Sequence, residues 1–255
     1  MMLCMSPVGR WPIYQLETGE PFNMLEWYNI VGGVGALCWL VAYLIVIRTC
    51  QRQQTYGIPL VAISLNLTWE LMDSFFLPDP IPAWVWLDRS WFIVDVLIVT
   101  QLFRYGRRWQ QLASVRQHFL VVVLSVLLLA FVGQYSWVTT FHDTLGIILA
   151  FVINLIMSVL FVFFYFSRTA SGGQGLITSV AWLKMLGTAL SSVQCYFLLP
   201  QIHPIDPSTT RLPTYSFFYF LFVGCFLFDC LYIYLVQRGE RTKSQAPINR
   251  EPVQA

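Results

Sequence analysis

Apolar residues fall in seven long runs along this chain, separated by short polar, proline-rich or glycine-rich breaks. The runs are Trp27 to Ile47, Gly57 to Leu77, Pro82 to Phe103, Phe119 to Val138, Asp143 to Phe166, Leu176 to Leu199 and Thr214 to Val236. A membrane span takes about 20 residues, at ~1.5 Å each, to cross roughly 30 Å of hydrocarbon. Continuous apolar runs of that length satisfy their own backbone as helices, whereas the strands of a barrel are shorter and alternate. The pattern predicts an all-α fold, a seven-transmembrane-helix bundle. Pro78-Asp79-Pro80-Ile81-Pro82 breaks the second helix, and Ser171-Gly172-Gly173-Gln174-Gly175 separates the fifth from the sixth. Pro200, Pro204 and Pro207 stop the sixth before Pro213 leads into the seventh.

Composition agrees with the pattern. The 255 residues are 57% hydrophobic and 11% charged, against roughly 25% charged in a soluble domain. No separate soluble domain fits between the runs. Residues 1–238 read as a single transmembrane domain and 239–255 as a polar cytosolic tail without apolar periodicity, expected to be disordered. Arg48 and Arg52 follow the first run, Arg104, Arg107, Arg108 and Arg116 the third, Arg168 the fifth, and Arg238, Arg241, Lys243 and Arg250 the seventh. Only Arg10, Arg89 and Arg211 fall on the opposite side. The positive-inside rule puts the amino terminus in the lumen or exterior and the carboxyl terminus in the cytosol. The host membrane would be the endoplasmic reticulum in a eukaryote or the plasma membrane in a bacterium. These basic residues sit at helix ends as topology signals, so nucleic acid is not expected as a partner. The first 26 residues have no basic head, apolar core and small-residue cleavage site, and no cleavable signal peptide is expected. There is no internal repeat, and the sequon at Asn66 lies inside a run that glycosylation cannot reach.

Cys4, Cys38, Cys50, Cys195, Cys225 and Cys230 show neither metal-ligand spacing nor disulfide density, and read as core fillers or helix-end residues. His118, His142 and His203 lie away from the middles of the runs and form no His-x-x-x-His pair. No metal or other cofactor is expected.

The acids inside the runs carry the chemistry. A carboxylate in hydrocarbon costs several kcal/mol unless it faces the bundle interior and is paired, wetted or protonated. Asn66, Glu70 and Asp73 stand at i, i+4 and i+7 on the second helix, so one face carries all three and must look inward. Asn66 is expected to donate to Glu70 from the preceding turn, while Asp73 lies nearer the rim. Trp91 and Asp95 repeat the i, i+4 spacing on the third helix, where Asp95 is close to the membrane centre; it also reads as a helix–helix hydrogen-bonding residue. Asp229 on the seventh helix and Lys184 on the sixth enter from the cytosolic side to nearly equal depth, and an ion pair between them is expected if their faces match. Pairing would commit Asp229 to a salt bridge, whereas burial without a partner would keep its proton available. Counting the helical rise leaves Glu70 and Asp229 about 10 to 12 Å apart along the membrane normal, too far for a hydrogen-bonded dyad. Among 20 Phe, 12 Tyr and 10 Trp, most rings are packing or interface belts. Trp69, Trp91, Trp182, Tyr219 and Tyr232 lie close enough to the acids to present faces to a cation.

Asn66-Leu67-Thr68-Trp69-Glu70, the preceding Tyr56-Gly57-Ile58-Pro59-Leu60, and Phe228-Asp229-Cys230-Leu231-Tyr232 resemble segments of the integral-membrane terpene cyclases of fungal meroterpenoid and indole-diterpene biosynthesis, a family with bacterial relatives. The likeness extends over most of the chain in length, span number and placement of two acids. It implies cyclisation of a polyprenyl chain tethered to an aromatic, indole or polyketide-derived headgroup, commonly from a terminal epoxide. It implies no Asp-rich magnesium motif and no ionisation of a diphosphate. The family's acidic residues map to Glu70 and Asp229, and Asp95 looks like a third. The residues suit such chemistry on their own account: opening an epoxide or protonating a trisubstituted alkene takes a neutral carboxylic acid, and a low-dielectric bundle favours the uncharged form of an unpaired carboxyl. Glu70 is the expected proton donor, with Asp229 sharing that work or polarising the epoxide oxygen, and Asp95 and Asn66 in support. A bilayer site also admits a prenyl tail directly. The rival class is a transporter or proton-coupled carrier for a small hydrophobic solute, because intramembrane acids and a lysine also mark ion pathways; no inverted repeat supports it. A retinal protein would carry its lysine on the seventh helix, where this chain has none. A membrane scaffold would leave the acids without a reason.

Overall fold

A computed structural model describes residues 14–16, 25–77, 82–141, 143, 146–170, 175–199, 202–204 and 215–245. Helices dominate it: α1 (Trp27–Gln53), α2 (Leu60–Phe75), α3 (Pro82–Tyr105), α4 (Ala113–Gln117), α5 (Phe119–Phe141), α6 (Ile147–Thr169), α7 (Thr178–Leu198) and α8 (Tyr215–Gln245). Two three-residue strands, β1 (Tyr14–Leu16) and β2 (Ile202–Pro204), pair antiparallel with Gln15 opposite His203. Each of the seven apolar runs contains one long helix. Among the described residues, four helical stretches are both long and apolar enough to cross a bilayer: Trp27–Gln53, Phe119–Phe141, Ile147–Thr169 and Tyr215–Glu240. The remaining long helices, α2, α3 and α7, carry Asn66, Glu70, Asp73, Asp95 and Lys184. Polar residues dilute their hydropathy, and α2 at 16 residues is only about 24 Å long.

Several boundaries differ from the sequence reading. α8 continues through Gly239 to Gln245, so the start of the expected tail is helical; 246–255 lie outside the described residues. Asp143 precedes α6 instead of opening a span. The short α4 and a 3-10 turn at Gly106–Trp109 fill the connection after α3. Pro78 to Ile81, Ser171 to Gln174, Pro200, Pro207, Pro213, His142 and Cys4 lie outside the described residues, while Pro82 opens α3, where its missing N–H is no loss.

The packing order brings the polar helices to the middle. α1 packs on α7 and α3, α2 on α3, α5 and α6, and α8 on α6 and α7. Helices in lipid gain little from apolar burial against one another, so small residues and side-chain hydrogen bonds hold them. Gly35 and Gly187 bring α1 and α7 so close that a Cβ on Gly35 would stand 2.9 Å from the Gly187 carbonyl oxygen. Gln134 donates to the Leu65 carbonyl at 2.8 Å, joining α5 to α2, and Gln101 donates to the Ile47 carbonyl at 2.7 Å, joining α3 to α1. At the basic end, Arg168 donates to the Tyr56 carbonyl at 2.9 Å, with its guanidinium 4.0 Å from the Tyr56 ring centroid. Cys50, Cys195 and Cys225 are buried and free, as their reading as core fillers requires.

Candidate active site

The helices around the middle of the bundle leave two chambers that share a waist. The inner chamber, about 190 Å³, is lined by Trp39 and Tyr43 of α1, Asn66, Trp69 and Glu70 of α2, Trp91 of α3 and a wall of α6 that includes Asn154 and Met157. The outer chamber, about 370 Å³, is lined by Asn29, Gly32 and Ala36 of α1, Asp73 of α2, Asp88 of α3, and Gln194 and Leu198 of α7, among others. Trp69, Trp91, Ala150, Phe151 and Ser191 border both. The outer chamber alone falls within the roughly 300–1,000 Å³ of small-molecule sites.

Glu70 reaches the inner chamber because α2 turns the Asn66-Glu70-Asp73 face inward. It is 7% exposed, and its Oε2 has no hydrogen-bond partner among the described residues. Asn66 does not orient it. Asn66 Nδ2 donates instead to Asp95 Oδ2 at 2.6 Å and to the Tyr43 hydroxyl at 2.9 Å. Both amide hydrogens are thus committed across to α3 and α1, and Asn66 has no N–H left to donate to Glu70. Asp95, with no exposed surface, lies behind Asn66 and lines neither chamber.

Trp69 is set by its neighbour across the waist. Gly146 has φ +66° and opens α6, and a Cβ there would run into the Trp69 indole. A side chain at this position would suffer the left-handed backbone and displace the ring together. Asp143 completes the turn: its Oδ2 accepts from the Leu149 N–H at 2.8 Å, and the Gly146 N–H donates to its carbonyl at 3.0 Å. Burial pushes the Asp143 carboxyl up to about 6, against the pull of these helix amides.

Asp229 belongs to a different cluster. Its Oδ1 accepts from Lys184 Nζ at 2.6 Å, and the same ammonium donates to Ser158 Oγ at 2.7 Å. The two side chains are 2% and 1% exposed, and neither lines a chamber. Trp39 is the link between the clusters, with one ring that lines the inner chamber and lies 5.5 Å from Lys184 Nζ. The other expected rings divide. Trp91 joins Trp69 at the waist, while Tyr232 is buried against Phe161 at 5.2 Å, away from both chambers. Trp182 and Tyr219 are 46% and 48% exposed on the outside of the bundle and line neither chamber. The helical phase turns them outward: Trp182 follows buried Ala181 and precedes inward Lys184 by two residues, and Tyr219 follows buried Phe218. Sequence reasoning missed Trp39, Tyr43, Asp88, Asn154 and Gln194. The run of small residues Gly32-Gly33-x-Gly35-Ala36 was the signal for a close or open face on α1.

Among the described residues the Glu70 carboxyl thus has no counter-charge, and it lines a ring-walled chamber in the helical bundle. The sequence profile of the Pyr4-like transmembrane terpene cyclases matches residues 18–242, and the chain belongs to that family. It is a membrane terpene cyclase. It is 26% identical over 202 residues, 78% of this chain and 79% of the relative, to the Pyr4-family terpene cyclase mfmH of Annulohypoxylon moriforme. It is 25% identical over 167 residues, 64% of either chain, to terpene cyclase macJ of Penicillium terrestre. A shorter stretch of 69 residues, 27% of this chain and 28% of the relative, is 38% identical to terpene cyclase cle7 of Aspergillus versicolor. No solved structure matches the chain.

Proposed function

We propose that the inner chamber is the cyclisation site and that Glu70 is its proton donor. The observation that carries this is the Glu70 carboxyl itself, buried, lining a chamber with Trp39, Tyr43, Trp69 and Trp91, and, among the described residues, without a cationic partner or a hydrogen bond at Oε2. The substrate is a polyprenyl chain on an aromatic, indole or polyketide-derived headgroup, and its terminal epoxide or trisubstituted alkene meets Glu70. Proton transfer to an epoxide oxygen breaks the tertiary C–O bond and leaves a carbocation. Successive double bonds close on it, and loss of a proton from carbon ends the sequence, so the net reaction is an isomerisation with no diphosphate released. The four rings face the migrating charge, each worth about 0.5–2 kcal/mol to a desolvated cation, and the apolar walls keep out water that would quench it. Asp95 and Tyr43 serve as positioning residues that hold Asn66. Asp229 is also a positioning residue, acting through Lys184 and Trp39.

In this reading α2, α3 and α7 complete seven spans. The arginine-rich ends of α1, α3, α6 and α8 face the cytosol, and the outer chamber opens toward the lumen of the endoplasmic reticulum, or the exterior in a bacterium. The test is product analysis of membranes carrying the wild type or Glu70→Gln, each given matched epoxide and alkene forms of a prenylated hydroxyarene. The wild type is expected to release cyclised isomers. Glu70→Gln, folded, is expected to lose at least about 10²-fold in rate, the usual contribution of a positioned acid. Near wild-type turnover by Glu70→Gln would remove the carboxyl from the reaction.

A further inference from the structure

The outer chamber has a use that cyclisation at Glu70 leaves unassigned. A tethered isoprenoid has two ends, and the structure offers them different surroundings. The inner chamber pairs Glu70 with five aromatic rings, which suits the reacting tail. The outer chamber is larger and carries neutral polar groups along one side: Asn29 of α1, and Ser191 and Gln194 of α7. Gln194 Nε2 donates to Asn29 Oδ1 at 3.1 Å, a bond that fixes the Gln194 amide in the chamber wall and uses only one of its two hydrogens. Asn29 is buried, so the pair is set within the wall and not at its rim. At the waist, Trp91 Nε1 is a buried N–H with no acceptor among the described residues, and the ring borders both chambers. Indole N–H groups normally find an acceptor when buried. A ligand oxygen would supply it.

The small residues opposite complete the shape. Gly32 cannot carry a Cβ, which would collide with the Gln194 amide, whereas a Cβ on Gly33 would meet nothing within 4 Å. The Gln194 amide fills the notch at Gly32, and the α1 wall stays open beside it at Gly33.

We propose that the outer chamber is the headgroup subsite, in which Gln194, held by Asn29, and the Trp91 N–H bind an uncharged, oxygen-bearing ring while the prenyl tail passes the waist into the inner chamber. This rests on Glu70 marking the tail end. The Gln194 amide and the indole donate to a ligand oxygen, and the carboxyls of Asp73 and Asp88, which line the same chamber, disfavour an anionic headgroup, so the subsite reads hydroxyl and carbonyl oxygens. It sets the depth at which the tail terminus stops beside Glu70.

Binding separates this subsite from the chemistry. The probes are a farnesylated dihydroxybenzene and farnesylbenzene, which lacks the oxygens, measured by quenching of tryptophan fluorescence on the full chain in detergent. Wild type is expected to bind the oxygenated probe more tightly. Gln194→Leu and, independently, Trp91→Phe are expected to weaken that probe about three- to tenfold, the worth of one or two neutral hydrogen bonds, and to leave farnesylbenzene within twofold. Equal losses on both probes, no loss on either, or no binding of either by the wild type would each overturn the subsite. Turnover of the corresponding epoxides with and without Glu70→Gln forms the separate arm. A Glu70→Gln protein that still cyclises both while the selectivity of Gln194→Leu holds would overturn the acid and keep the subsite.

Discussion

Asp229→Asn, Lys184→Met and the double variant Lys184→Met/Asp229→Asn distinguish an acid that reacts from an acid that holds a lysine. The Lys184 ammonium lies 2.6 Å from Asp229 Oδ1, and both side chains are at most 2% exposed. Removing one partner of such a pair leaves the other charge buried alone, which costs about 3–5 kcal/mol, whereas replacing both with uncharged groups is commonly close to neutral. Asp229→Asn should therefore lower the melting midpoint in detergent by on the order of 10 °C. Lys184→Met should do much the same by stranding the carboxylate. The double variant should recover most of the loss, a coupling well above the roughly 0.5 kcal/mol within which independent substitutions add.

Activity follows a different course under the two roles. An unpaired ammonium 5.5 Å from Trp39 would turn toward the chamber that the ring lines, and positive charge there opposes the cation that cyclisation must form. Asp229→Asn should then lower kcat more than it raises KM and release more early-terminated products. The double variant, without that ammonium, should return toward the wild-type rate and product profile. The assay is single-substrate turnover with product analysis, alongside melting curves for all three proteins. A double variant that melts like the wild type yet is as inactive as Asp229→Asn would refute the positioning role and return Asp229 to the reacting atoms.

Three further outcomes follow from the same geometry. Gly146→Ala should destabilise by roughly 1–2 kcal/mol, the cost of a left-handed backbone on a non-glycine residue, and should slow turnover because the Trp69 indole must move; melting and kcat read the two effects separately. Asn66→Leu removes the donor to Asp95 and Tyr43 together and should cost about 1–3 kcal/mol for the stranded buried acceptor, while Tyr43→Phe in the same melting assay should cost less than about 1.5 kcal/mol, because Asn66 keeps its bond to Asp95. Asp143 makes stability depend on pH with a definite sign. Its carboxyl sits near 3.8 when exposed and is pushed up to about 6 by burial, so between those values the folded protein binds more protons than the unfolded one. Stability should fall as pH rises from about 4 to about 6 and level off above. Melting midpoints across that range should show the slope in the wild type and lose it in Asp143→Asn.

Much of this site was legible because hydrocarbon is an unforgiving solvent. An acid in an apolar run has few tolerable orientations, so the inward face of Asn66, Glu70 and Asp73 and the ion pair of Asp229 with Lys184 both followed from spacing and depth. Direction around each helix was harder. Trp182 is two residues from Lys184 and near the acids in sequence, yet a step of two along a helix is a turn of about 200°, which sends it to the outside. The partner of Asn66 was also beyond a one-helix argument, since i, i+4 neighbours compete with groups on other helices. Asp95 and Tyr43 won that competition because α1 and α3 pack against one another and bring both to the same amide.

The length of α8 and the pairing of β1 with β2 show the opposite limit. Polarity after Gly239 speaks about solvent and not about backbone, and a helix leaving a membrane keeps its hydrogen bonds in water as well as in lipid. The strands join residues nearly 190 positions apart, a contact no local pattern encodes. Intramembrane acids alone did not separate a cyclase from a proton-coupled carrier either, because the solvation argument that singles out Glu70 applies equally to a proton path. Family membership makes that separation. The structure adds an asymmetry among the acids: Glu70 lines the chamber with no partner for Oε2 among the described residues, Asp229 is paired with Lys184 behind Trp39, and Asp95 accepts from Asn66. A carbocation site requires that asymmetry, since a second ionised carboxylate in the chamber would trap the cation it stabilised.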